Sequence, residues 1–101
     1  MPSSERASAK SRTVRVRVEG LVQGVGYRVF VEREAIRLGV RGHVRNRRDG
    51  SVEVLAQAEA AIIDLLLTVL RSGPHGSRVD LVVACDDGEM PPPGFAIVST
   101  I

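Results

Sequence analysis

The hydrophobic period of the chain changes once between Thr13 and Gly39, and that change constrains the fold more than any other feature. Thr13 to Glu19 reads TVRVRVE, with Val14, Val16 and Val18 on one face and Thr13, Arg15, Arg17 and Glu19 on the other. A period of two is that of a strand with one buried face. Glycines at 20, 24 and 26 then interrupt the pattern. From Tyr27 the apolar residues recur as Tyr27, Phe30, Val31, Ala35 and Leu38. That is the stripe of an amphipathic helix, and Gly39 is suited to end it.

The remaining elements follow by the same reasoning. Val40 to Asn46 reads as a second strand and Ser51 to Ala56 as a third. Between them Asp49-Gly50 supplies residues that tolerate the positive φ a hairpin turn needs. Glu59 to Arg71 reads as a second helix, with Ile62, Leu65, Leu66, Val69 and Leu70 on its buried face and acidic residues in its first two turns. Gly73-Pro74 stops it. Val79 to Cys85 is a fourth strand, DDGEMPPPG a polar loop, and Phe95 to Thr100 a short last strand. This order predicts an α+β fold: a ferredoxin-like βαββαβ sandwich with a mostly antiparallel sheet, two helices on one face and a short extra C-terminal strand.

Composition excludes several functional classes. The first dozen residues, MPSSERASAKSR, contain no apolar stretch, so residues 1–12 are expected to be a disordered tail and not a secretory signal. One folded domain is expected over 13–101. No apolar run is long enough to span a bilayer, so no membrane partner is expected and the expected location is the cytoplasm. The single Cys85 excludes an internal disulfide and a thiolate metal cluster. Within LVVAC it is expected to be buried and inert. Only Tyr27, Phe30 and Phe95 are aromatic, and TVRVRVE and SVEVLA carry none of them. A stacking platform for RNA bases is thereby excluded, and with it the RNA-binding domains that share this plan.

Charge is divided unevenly. Thr13–Arg48 holds nine Arg against three acidic residues, a balance of +6, and Asp49–Ile101 holds two Arg against eight, a balance of −6. Two compatible explanations are open: the halves pair with one another or lie on solvated faces, or the first half builds a positive field around an anion site.

A glycine-rich turn between a strand and a helix is suited to hold an anion. Without Cβ atoms the backbone can form a concave nest of N–H groups, and the helix adds its own unsatisfied N–H groups and positive dipole end. The turn lacks the GK[ST] of a nucleotide P-loop and the glycine spacing of a dinucleotide fingerprint. Paired with GHVRNRRDGSVEV (Gly42–Val54), however, GLVQGVGYR (Gly20–Arg28) resembles the two signatures of the acylphosphatase family. LRSGPHGSRVDLV (Leu70–Val82) and FAIV (Phe95–Val98) also resemble the family's second half, so that the likeness covers nearly all of Val14–Ser99.

That resemblance implies hydrolysis of acyl phosphates to a carboxylate and inorganic phosphate, with no metal and no cofactor. It assigns phosphate binding to the loop backbone, Gln23, Gly24, Val25, Gly26 and Tyr27, and to Arg28. It assigns the positioning of water to Asn46. Arg suits the first role because its planar fork binds two phosphate oxygens and stays charged. Asn suits the second because an amide both donates to and accepts from a water. His43 stands where the family usually carries an aromatic residue and is expected to serve packing or surface cover; His75 is expected in a loop. The expected partner is a small acyl phosphate and the expected state a monomer. The leading rival reading is a binding module of the same plan, RNA-binding or small-ligand regulatory, and the second is an acylphosphatase-like module related to those within larger carbamoyl-transfer proteins, retained for binding and not for hydrolysis.

Overall fold

The computed structural model describes residues 10–101. Of the tail expected over residues 1–12, positions 1–9 lie outside the described residues. Ser11 and Arg12 belong instead to the first strand, where they stand opposite Glu59 and Ala58. The elements run β1 (Ser11–Leu21), α1 (Tyr27–Leu38), β2 (Arg41–Asn46), β3 (Val52–Glu59), α2 (Ala60–Ser72), β4 (Arg78–Asp86) and β5 (Phe95–Ile97). The sheet order is β4-β1-β3-β2-β5, antiparallel except for the parallel pair β2 and β5. The sheet is therefore mixed, with the extra strand as its parallel edge.

Register carries the sequence alternation into one core. Val14, Val16 and Val18 of β1 stand opposite Ala56, Val54 and Val52 of β3, and Val44 of β2 opposite Val54. These residues are buried in one cluster with Tyr27, Val31 and Ala35 of α1 and Ile63, Leu66 and Leu70 of α2. Each such valine contributes roughly 1.5–3 kcal/mol on burial. The buried stripe of α2 differs from the sequence expectation. Ile63 is in the core, Leu65 is 52% exposed, and Ile62 and Leu67 flank the buried face. In a helix this apolar, composition alone leaves its rotation open, and packing on β1 and β3 selects it. Of the acidic residues expected in its first two turns, Asp64 lies in the second, whereas Glu59 is the N-cap residue and its side chain makes no capping bond.

The opposite face of the sheet resolves the charge division. Glu53, 5% exposed, accepts from Arg15 Nη1 (2.7 Å), Arg45 Nη2 (2.9 Å) and Arg47 Nη1 (2.7 Å). Arg15 also donates to Asp87 and Glu89, at 2.8 and 2.9 Å, and Arg17 to Glu19 and Asp49. Four arginines of the basic half are thus held largely by carboxylates of the acidic half. Cys85 lies on this face, opposite Arg15, and is exposed, contrary to the expected buried thiol. The reason is position: β4 is an edge strand, and of its residues Val79, Val82 and Ala84 pack against the core while Cys85 falls on the other face. His43 sits on the same face opposite Leu55, and burial, followed by the charge of Arg45, holds its imidazole below its usual pKa.

The carboxylates on this face set a pH dependence. Burial alone would raise Glu53, but its bonds and charges from Arg45 and Arg15 outweigh that and hold it below the ordinary value. Asp49 is held down to about 2, chiefly by hydrogen bonds from Ser51. Groups depressed in the folded state stabilise it fully above the unfolded carboxyl range near ~4, and that contribution disappears as pH falls through the folded values. Urea midpoints should therefore be flat near neutrality and drop between about pH 4 and 2. Glu53→Ala should cost about 3 kcal/mol near neutral pH, because it removes the carboxylate that three partly buried guanidinium groups share and leaves Arg45 with none, and should flatten part of the acid limb. An unchanged midpoint in that variant would show that the cluster contributes no net stability.

Candidate active site

The turn joining β1 to α1 is shorter than the sequence motif. β1 continues through Gly20 and Leu21, with a register shift against β4 between Glu19 and Gly20, so the turn proper is Val22–Gly26. Gly24 and Gly26 have φ of 74° and 78°, the left-handed region. A Cβ at either would meet nothing within 4 Å, so glycine is needed there for backbone conformation, not for space. Left-handed residues on either side of Val25 give the turn the backbone alternation from which a nest of N–H groups is built.

Gly26 is also the N-cap of α1 and supplies no side-chain cap. No acidic residue occupies the first turn. Among the described residues, the first N–H of the helix with a backbone acceptor is that of Phe30, bonded to the Gly26 carbonyl at 3.1 Å. The N–H groups and the positive dipole end are thus left for a ligand. A cavity of about 150 Å³ opens here, lined by Val22, Gly24, Gly26, Tyr27, Arg28, Val29 and Ile97. Arg28 is partly buried in that lining, and among the described residues it has no carboxylate partner. The arginine that the sequence selected is one left over from the pairing of the two halves.

Tyr27 is among the lining residues. Its ring is buried, its hydroxyl donates to the Leu70 carbonyl of α2 at 2.8 Å, and burial pushes the phenol well above its usual pKa. The ring therefore fixes the start of α1 against α2. Val25 packs on the core from within the loop. Gln23 is absent from the cavity lining, and its side chain bonds to the hairpin between β2 and β3.

Asn46 is the last residue of β2 and is absent from the cavity lining. Register nevertheless places it on the same side of the sheet. It stands opposite Val52 and two residues beyond Val44, whose β5 partner Ile97 lines the cavity. Two strand residues span roughly 6.6 Å, which is the distance of Asn46 along β2 from Val44. Its Oδ1 is buried with no hydrogen-bond partner, and its carbonyl accepts from Ile101 N–H at 3.2 Å. A buried acceptor left open calls for a water or a ligand. Val22, Val29 and Ile97 were not selected by sequence reasoning; the alternation of Phe95 and Ile97 was the available signal for the last of these.

Among the described residues no helix is long and apolar enough to cross a membrane, and no group of three or more His, Cys, Asp or Glu is placed to hold a metal ion. The family model for acylphosphatase matches residues 14–97. An acylphosphatase of Nitrobacter hamburgensis is 49% identical over 81 residues, covering 76% of this chain and 82% of that protein. One of an Acidovorax species is 42% identical over 94 residues, covering 93% and 97%. The crystal structure of acylphosphatase from Bacillus subtilis superposes with a TM-score of 0.82 at 32% identity, covering 88% of this chain and 99% of that one.

Proposed function

This chain belongs to the acylphosphatase family, and from that premise we propose how its residues divide the hydrolysis of acyl phosphates. The reaction breaks the bond between phosphorus and the carboxyl oxygen and forms a bond from phosphorus to a water oxygen. The products are a carboxylate and inorganic phosphate.

In this reading the backbone N–H groups of Gln23 to Tyr27 and the guanidinium of Arg28 hold the phosphoryl oxygens. The observation that carries it is Arg28: it lines one cavity with Gly24 and Gly26 of the cradle and has no carboxylate partner among the described residues. Its fork and the cradle supply the positive charge that phosphoryl transfer requires, so neither a metal nor a side-chain nucleophile enters the reaction. Asn46 orients a water through its open Oδ1, in line with the leaving carboxylate. An amide is no base near neutral pH, so the water's proton passes to a phosphate oxygen. Every component comes from one chain, which supports action as a monomer.

The test is turnover of a synthetic acyl phosphate with excess chelator present. Wild-type protein should hydrolyse it at the same rate with and without chelator, and inorganic phosphate should inhibit competitively. Loss of turnover on chelation would overturn the assignment of charge stabilisation to Arg28 and the backbone.

A further inference from the structure

We propose that Gln23 is a positioning residue, which sets the phosphate cradle against Asn46, and that its side chain is not a phosphate ligand. The inference rests on the division of roles given above and deepens it.

The Gln23 amide nitrogen donates to the carbonyls of Arg47 (2.7 Å) and Ser51 (2.8 Å). Two carbonyl acceptors fix the orientation of the amide, because the flipped form would set oxygen against oxygen. Both amide hydrogens are then used on the hairpin. What remains is Oε1, an acceptor, which a phosphate oxygen repels. The side chain has no donor left for the substrate.

The two carbonyls are not arbitrary points on the hairpin. Arg47 follows Asn46, and Ser51 precedes Val52, the residue opposite Asn46. The Ser51 carbonyl already accepts from Arg47 N–H (2.8 Å) and the Arg47 carbonyl from Gly50 N–H (3.1 Å). Gln23 fills the second lone pair of each. The opposite side of the turn is held by the Arg47 guanidinium on Glu53 at 2.7 Å. The rung of the hairpin next to Asn46 is therefore rigid, and Gln23 ties the cradle to it. Without that tie, the cradle is joined to the rest of the site through a turn whose Gly24 and Gly26 restrain the backbone weakly.

The consequence is geometric. A phosphoryl group held by the cradle and a water held by Asn46 must meet in line, and a misplacement of ~1 Å can cost ~10²-fold. Removing the tie should harm the chemical step and spare phosphate binding.

The experiment compares Gln23→Met, which keeps shape without donors, and Gln23→Asn, which keeps an amide one methylene too short to reach both carbonyls. For each variant it reads kcat, the competitive inhibition constant of inorganic phosphate, and the urea midpoint. Gln23→Met is also made in the Asn46→Ala background. The expected result is a kcat lower by roughly 10–100-fold, with phosphate inhibition within about threefold of wild type. In the Asn46→Ala background the same substitution should lower kcat by less than about threefold, as residues acting as a unit do.

Phosphate inhibition weakening in step with kcat would make Gln23 a direct ligand and overturn the proposal. An unchanged kcat in folded variants, or a full loss in the Asn46→Ala background, would overturn it as well. If Gln23→Met does not fold, Gln23→Asn carries the same comparison in both backgrounds. The reading beneath it fails separately: Asn46→Ala retaining wild-type kcat would remove the role of Asn46, whatever Gln23 does.

Discussion

Arg28→Ala should lower kcat/KM by about 10²–10⁴-fold and weaken competitive phosphate inhibition by a comparable factor. The size follows from the number and kind of bonds lost. A guanidinium facing a phosphoryl group makes two parallel charge-assisted hydrogen bonds, each contributing about 1.5–3 kcal/mol. Their sum, ~3–6 kcal/mol, converts at ~1.4 kcal/mol per tenfold into that range. The dipole end of α1 contributes only ~0.3–1 kcal/mol and cannot substitute. Folding should be spared, because Arg28 makes no side-chain bond among the described residues; the urea midpoint should stay within ~0.5 kcal/mol of wild type. Arg28→Lys should recover only part of the loss, since an ammonium restores the charge and not the fork. An alanine variant that phosphate inhibits as strongly as wild type would remove Arg28 from the site.

Asn46→Ala should separate chemistry from binding. The expected loss is about 10²–10³-fold in kcat, the scale on which misorienting a reactant or deleting a preorganised polar group is felt. Phosphate inhibition should stay within about threefold of wild type, because the cradle and Arg28 are intact. Stability gives an independent check. Asn46 Oδ1 is buried and unpaired, so its removal deletes an unsatisfied acceptor and should leave the urea midpoint unchanged or slightly raised. Parallel loss of kcat and phosphate affinity would return Asn46 to a purely structural role.

These two residues also mark how far the sequence could be read. The pairing of GLVQGVGYR with GHVRNRRDGSVEV brought out Arg28 and Asn46 together, and a strand-turn-helix order put Arg28 at a helix N-terminus. The element order, the valine face of β1 and the family were legible for the same reason: each rests on local periodicity or on a contiguous motif. The hairpin was legible too, although of Asp49 and Gly50 only the glycine takes a positive φ.

Other features were not local. LVVAC looked like a core segment, yet its strand is a sheet edge with Cys85 exposed, and edge position is a property of strand order. The stripe of α2 was legible only in part: Leu66 and Leu70 are buried as expected, but among adjacent apolar positions Ile63 is in the core and Leu65 is exposed. The balance of +6 and −6 left two explanations standing, and the sheet decided between them residue by residue. Arg15, Arg17, Arg45 and Arg47 went to carboxylates, and Arg28 did not.

The sequence by itself determined which backbone is used: alternation makes β1, glycines at 24 and 26 make the nest, and the change of period starts α1 where the nest ends. These depend on residues within a few positions of one another, and steric limits on φ and side-chain period act at that range. Only the tertiary structure decided what each polar side chain of the site is for. Gln23 lies in the glycine-rich motif, but its two donors end on Arg47 and Ser51, and Asn46 is set on the cavity's side of the sheet only by the register of β2 with β3 and β5. A donor's partner is set by which distant carbonyls folding brings within ~3 Å, and no spacing along the chain encodes that distance.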